Sequence, residues 1–227
     1  MPAGFSARFG RMFSGIGYLN DKHSHTWDFT DNPLPYQAFL DGKYVDNGAQ
    51  LRWLAPTDLY MELAGEVMQG EGDPSGLGAY TLFGNVGGDV GTSHSWLAGL
   101  SRLEQDAGQE LTGAHFVWKW APNGNWKQRN FVFQTEYFEN SDLDDDSGWY
   151  AQAVFQPIPR WRFGGRVDGL ELDDDDPRRY AVMADWSNSE FSRVRLQYAR
   201  ADWADGDINE WALQYIHSIG AHGAHAF

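Results

Sequence analysis

The sequence predicts an all-β protein, a transmembrane antiparallel β-barrel of about twelve strands with short periplasmic turns and longer, acidic outer loops. Three observations lead to this prediction. Apolar and polar residues alternate in long runs, tryptophans recur beside short turns, and the mean hydropathy is −0.55 although 15% of the residues are aromatic. A barrel gives this combination because lipid-facing residues alternate with polar lumen residues. No apolar run reaches the roughly 18 residues that a membrane-spanning helix needs.

The alternation locates the strands. Between Val194 and Tyr198 every second residue is apolar, while Arg195 and Gln197 occupy the positions between them. A period of two gives each strand one apolar and one polar face. The predicted strands cover residues 4–12, 47–55, 58–68, 79–90, 94–104, 111–121, 126–139, 148–157, 160–171, 178–187, 190–201 and 207–218. Most have the length that a tilted strand needs to cross the hydrocarbon layer.

We expect residues 1–227 to form a single domain. The longest connection between predicted strands covers residues 13–46 and contains Gly15, Gly17, Pro33 and Pro35. A loop of this length in a compact protein usually has a function. We therefore expect it to fold into the lumen and narrow the pore. A hidden strand at residues 36–45 is the alternative.

Six tryptophans lie within about two residues of a short turn. They are Trp53, Trp96, Trp120, Trp126, Trp161 and Trp186. An indole ring prefers the headgroup zone of a membrane, which is half apolar and half hydrated, so we expect these six rings at one membrane interface. A soluble β-sandwich alternates equally well, but it would scatter its tryptophans through the core and use shorter strands.

The polar faces of the strands predict the pore lining. The cations are Arg8, Arg52, Lys119, Arg162, Arg166, Arg179, Arg193 and Arg195, and the anions are Glu62, Glu66, Glu136, Asp168, Asp185 and Glu210. Two interpretations stay open. These charges pair across neighbouring strands and fill the interior, as in small barrels, or they form a transverse field along which small polar solutes pass.

Histidines offer a weak metal hypothesis. His23 and His25 are two residues apart in the long loop, with Asp21 and Asp28 nearby, and an extended backbone would place both rings on one side. His222 and His225 form a second pair in the C-terminal tail. With no cysteine in the chain and no third ligand identified, polar loop residues are the competing interpretation, and we expect no cofactor.

The net charge of −15 is concentrated between the strands, in the regions 142–146, 171–176 and 202–207. These regions are interpreted as solvated loops, with an acidic mouth that attracts cations as the alternative. So acidic a chain is not expected to bind nucleic acid. The first residues do not form a secretory signal, so we expect a mature chain of the bacterial outer membrane.

Several runs resemble a family of proteobacterial outer-membrane porins that is related to the phosphate-selective porin O/P group. Some of its members are labelled zinc-regulated outer-membrane receptors. The runs lie at residues 15–20 (GIGYLN), 23–29 (HSHTWDF), 50–58 (QLRWLAPTD), 116–125 (FVWKWAPNGN), 185–192 (DWSNSEFS) and 220–225 (GAHGAH). The family members are longer at the N-terminus, and outer loops such as 106–110 look shortened here, so the barrel resembles a truncated member. Phosphate selectivity would need a ladder of cations, and this lumen face is mixed.

The sequence therefore predicts a porin-like channel for passive diffusion of small hydrophilic solutes or ions, and not an enzyme. A structural or redesigned barrel with a blocked lumen is the alternative. An outer-membrane hydrolase is a weaker one, for which His94, Ser95 and His115 are the available residues. The expected partners are outer-membrane lipid or detergent, the barrel assembly machinery through the C-terminal strand that ends at Phe227, and the solutes. The oligomeric state is left open.

Overall fold

A computed structural model describes residues 4–70, 76–106, 108–141, 146–173, 175–189 and 191–218. Within these ranges the chain forms twelve strands, one α-helix and two 3-10 turns, which confirms the predicted all-β architecture and strand number. The strands are β1 (Phe5–Phe13), β2 (Val45–Leu54), β3 (Tyr60–Met68), β4 (Ala79–Val90), β5 (His94–Gln105), β6 (Glu110–Trp120), β7 (Asn130–Asn140), β8 (Asp146–Ile158), β9 (Trp161–Glu171), β10 (Arg178–Ser189), β11 (Ser192–Trp203) and β12 (Gly206–His217). The helix is α1 (Leu34–Leu40), and the 3-10 turns are Ser24–Thr26 and Pro122–Gly124.

All strands belong to one antiparallel sheet in which sequence neighbours are also spatial neighbours, from β1 to β12. This is the up-and-down order of a membrane barrel. The observed strand ends differ from the predicted ends by a few residues. The largest shift is at β7, which begins at Asn130 because residues 122–129 form a 3-10 turn and loop, and the Asn130 side chain donates a 2.8 Å hydrogen bond to the carbonyl of Trp126.

The two faces of the sheet differ in burial and polarity. Outward-facing apolar side chains in the middle of the strands are exposed, with Leu82 at 68% and Leu100 at 67%. The inward-facing residues between them are largely buried, and many are polar or charged. Within the described residues the end strands β1 and β12 each pair with one neighbour, and their outward side chains are more exposed still, with Phe9 at 81% and Leu213 at 76%.

The sheet wraps around the chain between β1 and β2, which we call the inner segment (residues 14–44). Its first half donates hydrogen bonds to Glu66 on β3, Ser101 on β5 and Glu136 on β7. Its second half contacts Tyr150 on β8 and Gln197 on β11. Because one segment touches strands along the whole sheet, the sheet encloses it, and the inner segment occupies the lumen.

Residues 36–45 do not form the hidden strand that was the alternative prediction. The first of these residues belong to α1. Pro33 precedes this helix and Pro35 lies in its first turn, where a missing N–H is tolerated. The helix ends at Asp41, which adopts the left-handed conformation with φ 44°, and Gly42 follows with φ 84°. The chain then joins β2 at Val45. The proline pair and the Asp41–Gly42 stop are the local reasons for helix here rather than strand.

The connections define two ends of the barrel. The connections 55–59, 91–93, 121–129, 159–160 and 190–191 lie at one end, which we call the short-turn end. The inner segment and residues 69–78 connect strands at the opposite end, the long-loop end, together with the acidic regions. The remaining long-loop-end connections are short, so the difference in length between the two ends rests on two loops. None of the helices in the described residues has the length and apolar character needed to span a bilayer.

Candidate functional site in the barrel lumen

The residues predicted to line the pore all lie on the inward face of their strands. Eight lie on the β7–β11 wall, where most of them contact the inner segment: Glu136, Arg162, Arg166, Asp168, Arg179, Asp185, Arg193 and Arg195. Four lie on β2, β3 and β6: Arg52, Glu62, Glu66 and Lys119. The remaining two, Arg8 and Glu210, lie on the end strands and are exposed, unlike the others.

Glu136 binds the inner segment at the middle of the lumen. Its carboxylate is 1% exposed and accepts hydrogen bonds from the backbone N–H groups of Tyr18, at 2.6 Å, and Leu19, at 3.1 Å. The hydroxyl of Tyr36 on α1 donates at 2.9 Å, and the hydroxyl of Tyr150 donates from the neighbouring strand. A buried carboxylate needs such partners because an unpaired one would lose its hydration without compensation. Burial and the nearby Glu136 carboxylate raise the pKa of Tyr36 well above its ordinary value.

An ionic cluster fixes the middle of the inner segment. Asp31 pairs with Arg166 at 3.1 Å and with Arg179 at 2.5 Å, and it accepts a 2.7 Å hydrogen bond from Gln197. Asp168 supports Arg166 from the next inward position of β9, at 2.8 Å. Burial alone would raise the pKa of Asp31, but the two guanidinium groups and the hydrogen bonds outweigh burial and hold that pKa below its ordinary value of 3.8.

A second ionic cluster holds the part of the inner segment nearest the short-turn end. Asp185, which is fully buried, accepts from Arg195 at 2.7 Å and also pairs with Arg162. Arg162 reaches Asp28 of the inner segment at 2.7 Å, and Arg195 donates to the carbonyl of Trp27 at 2.7 Å. Many lumen charges therefore pair with the inner segment as well as across neighbouring strands.

Apolar side chains fill the long-loop end of the lumen. Tyr36, Phe39 and Leu40 of α1, with Ile16 and Leu19 before it, pack against inward-facing residues of the wall. The wall residues in this core are Met68, Ala79, Leu103, Leu111, Phe138, Tyr150 and Leu170. The inner segment therefore closes much of this end with a dry core.

An open cavity of about 350 Å³ remains beside the inner segment, along β2–β6. It extends from Asp58 and Asp89 near the short-turn end to Gly15 and Gly17 of the inner segment. Arg52 and Glu62 lie in its wall and pair at 3.2 Å. Within the described residues, this cavity is therefore a solvent-accessible part of the lumen, and its wall combines charged, polar and aromatic groups.

The predicted interface tryptophans gather at the short-turn end. Trp161 and Trp186 are direct cross-strand neighbours, and both are exposed on the outward face. Trp96 and Trp120 lie on outward positions of β5 and β6. Trp53 is the next-to-last residue of β2, and Trp126 lies in the 121–129 connection. Trp118, which the sequence analysis did not select, pairs with Trp96 and adds to the same group.

The two histidine hypotheses fare differently. The rings of His23 and His25 are stacked with centroids 5.5 Å apart, but the neighbouring carboxylates are engaged elsewhere, since Asp21 pairs with Lys22 and Asp28 with Arg162. Within the described residues no group of three or more metal-ligating His, Cys, Asp or Glu side chains occurs. The second pair, His222 and His225, lies outside the described residues, as does Phe227.

His94 and Ser95, which were considered for a hydrolase, point to opposite faces of β5. His94 stacks on Trp118 on the outward face, with ring centroids 5.5 Å apart, whereas the adjacent Ser95 faces inward. Successive residues of a strand point to opposite faces, so this pair cannot act together.

No family model matches the chain. An uncharacterized protein of Aquifex aeolicus (strain VF5) is 30% identical over 260 residues, which covers 87% of this chain and 54% of that protein. The chain thus spans about half the length of this relative. The aligned stretch is longer than the chain itself, so the relative carries additional residues within it.

Solved structures that resemble the chain include outer-membrane proteins. A loop-deletion mutant of OmpT, an outer membrane protein of Vibrio cholerae, matches with a TM-score of 0.63 at 11% identity, over 95% of this chain and 76% of that one. The outer membrane channel DcaP of Acinetobacter baumannii matches with a TM-score of 0.57 at 12% identity, over 94% and 71% of the two chains. These similarities show a shared outer-membrane barrel fold.

Sequence reasoning missed most of the inner segment's functional side chains. Asp31, Tyr36 and Tyr18 lie where no periodic pattern exists, and their partners are more than 90 residues away in sequence. Asp28 was considered only as a neighbour of the histidine pair. The one usable signal was the length of the 13–46 connection, which predicted entry into the lumen without identifying the contacts.

Proposed function

We propose that the chain is an outer-membrane channel through which small hydrophilic solutes or ions diffuse passively. The observation that carries the proposal is the mixed-charge cavity along β2–β6, which enters the lumen from the short-turn end and is bounded by Arg52 and Glu62. A water-filled lumen with charged walls is what conduction requires. The resemblance to the phosphate-selective porin O/P group and the fold shared with an outer membrane channel support it.

The same proposal places the chain in the outer membrane of a Gram-negative bacterium. The exposed apolar band that includes Leu82 and Leu100 would contact lipid, and the tryptophans at the short-turn end would lie at the periplasmic interface. Assembly into the membrane would use the C-terminal strand, as it does in other outer-membrane barrels.

A barrel with a blocked lumen is the second candidate, and one observation favours it. The apolar core around α1 fills the long-loop end, and Arg166, Asp185 and Arg195 on the β7–β11 wall are almost completely buried. Conduction would then require the inner segment to move.

Excision of the inner segment separates the two candidates. The backbone N–H of Ser14 donates to the carbonyl of Tyr44 at 3.2 Å, so a short glycine linker can replace residues 16–42 without straining the barrel. Single-channel currents in planar bilayers would be compared for the full chain and the excised variant. A channel gives stepwise currents in both, with larger steps after excision. Currents in the excised variant alone support the blocked barrel, and silence in both contradicts a channel.

A further inference from the structure

Two buried polar side chains face the cavity without hydrogen-bond partners. His115 on β6 is 8% exposed, and neither of its ring nitrogens has a partner within the described residues. The Oδ1 atom of Asn85 on β4 is also buried and unpaired, although its Nδ2 group donates to Glu62 at 3.0 Å. Both residues line the cavity. A buried polar group without a hydrogen-bond partner lowers the stability of the fold, so two such groups facing one cavity indicate a binding site.

The backbone brings these two side chains together over a glycine. Asn85, Gly99 and His115 are direct cross-strand neighbours on β4, β5 and β6. A Cβ atom at Gly99 would overlap both the Asn85 Oδ1 atom and the His115 ring. The absence of a side chain on β5 therefore lets the Asn85 amide and the His115 imidazole lie side by side, facing the same space.

Aromatic side chains form another part of the cavity wall. The Tyr18 ring lies 5.6 Å from the His115 ring, and Phe83 lies under the Arg52 guanidinium at 5.2 Å. Tyr60 completes this wall and donates to Glu62 at 3.2 Å. Aromatic faces and edges suit a ligand that presents C–H groups on one side and polar groups on the other.

The charged groups of the cavity nearest to Asn85 and His115 already have partners. Arg52 pairs with Glu62 at 3.2 Å, and Asp21 pairs with Lys22 at 3.4 Å. The hydrogen-bonding positions without partners are the Asn85 carbonyl oxygen, which only accepts, and the two nitrogens of the neutral His115 imidazole, of which one donates and one accepts. A hydroxyl group both donates and accepts, so adjacent hydroxyls satisfy all three positions. A carboxylate has no proton to donate to the Asn85 oxygen, and a phosphate dianion, which keeps one hydroxyl proton, would bring two negative charges next to the Glu62 carboxylate.

We propose that this cavity is a binding site for small neutral polyhydroxylated molecules, of the saccharide class. Adjacent hydroxyls would bind Asn85 and His115, and the C–H face of the ring would pack on Tyr18. A volume of about 350 Å³ accommodates a sugar of one or two rings. The inference rests on the proposed function in that the solute enters through the same lumen, but binding is measured without requiring conduction.

The test is equilibrium binding to the refolded full chain in detergent micelles, by titration calorimetry with D-glucose and maltose as probes and with sodium acetate and sodium phosphate as comparators. We expect saturable binding of a sugar and none of the two charged comparators. Asn85→Ala, His115→Ala and Gly99→Ala should each weaken sugar binding by about tenfold or more, as expected when hydrogen bonds that recognise a hydroxyl are lost. Gly65→Ala is the matched control, since Gly65 is an outward-facing strand glycine with open space at its Cβ position.

Each result has a defined meaning. Absence of sugar binding, binding that the three variants leave intact, or preferential binding of phosphate or acetate overturns the proposal. Currents in bilayers without sugar binding would support the channel proposal and contradict the sugar-binding proposal. Sugar binding without currents would support the sugar-binding proposal and contradict the channel proposal. Should Gly99→Ala fail to refold, Asn85→Ala removes atoms without adding any and supplies the same test.

Discussion

Replacement of Asp31 by Asn should release the inner segment from the barrel wall. The substitution keeps the shape of the side chain but removes the charge that pairs with Arg166 and Arg179. Removing one partner of a buried ion pair typically destabilises by about 3–5 kcal/mol, because the other charge stays buried. The arginines keep Asp168 and Glu210 as partners, and the Asp31 side chain is 24% exposed. We therefore expect a smaller loss than this range, about 2–3 kcal/mol, which corresponds to a roughly 30- to 150-fold larger population of released segment.

The chain contains no cysteine, which makes this population measurable. A single cysteine in place of the buried Leu40 on α1 would react with a maleimide only when the segment leaves the lumen. The labelling rate of Leu40→Cys with and without Asp31→Asn gives the ratio directly. Asp207→Asn is the matched control, because its partner Arg200 is an exposed arginine, and its labelling rate should not change. An increase of less than about fivefold for Asp31→Asn would mean that the cluster does not hold the segment.

Three further outcomes follow from the same contacts. Gly17 has φ 68°, and a Cβ atom at this position would overlap the Tyr36 hydroxyl. Gly17→Ala should therefore lower the free energy of unfolding in urea by about 2–4 kcal/mol. The control is Gly91→Ala, which should lower it clearly less, because Gly91 also has a positive φ but has open space at its Cβ position. Leu100→Arg, on the outward face, should destabilise the barrel by about 2–4 kcal/mol in lipid vesicles, and an unchanged stability would argue against lipid contact. The folded-state pKa of Asp31 is below 3.8, so its contribution is complete above that pH and is lost as the pH falls through the folded value. The rise in labelling of Leu40→Cys in strong acid, relative to a free peptide thiol at each pH, should therefore be smaller with Asp31→Asn than without it.

The strands and their faces could be predicted from the sequence because a period of two is a local property. The alternation from Val194 to Tyr198 placed Arg195 inward, and the structure finds its guanidinium fully buried on Asp185. The turn residues around Pro122 and Gly124 located the end of β6 equally well. In each case the information lies within a few neighbouring residues.

The lumen contents could not be predicted in the same way. The partner of Arg166 in the inner segment is Asp31, 135 residues away, and no local pattern links the two. The α1 helix has seven residues, too few to show a helical period, and only the prolines and Gly42 mark its ends. The unpaired atoms of Asn85 and His115 depend on what their neighbours leave empty, and only the coordinates reveal an empty space.

The position of the inner segment in the chain has a consequence for assembly. From β2 onward each strand reaches its neighbour after a much shorter connection than the inner segment, whereas Trp27 and Asp28 contact arginines 168 and 134 residues further along the chain. Closing such wide loops is entropically expensive, and topologies rich in distant contacts fold slowly. We therefore expect the strands of the wall to pair first, in chain order, and the inner segment to pack into the lumen last. Newly inserted molecules would then pass through an intermediate whose lumen is not yet filled by the inner segment and is permeable to solutes.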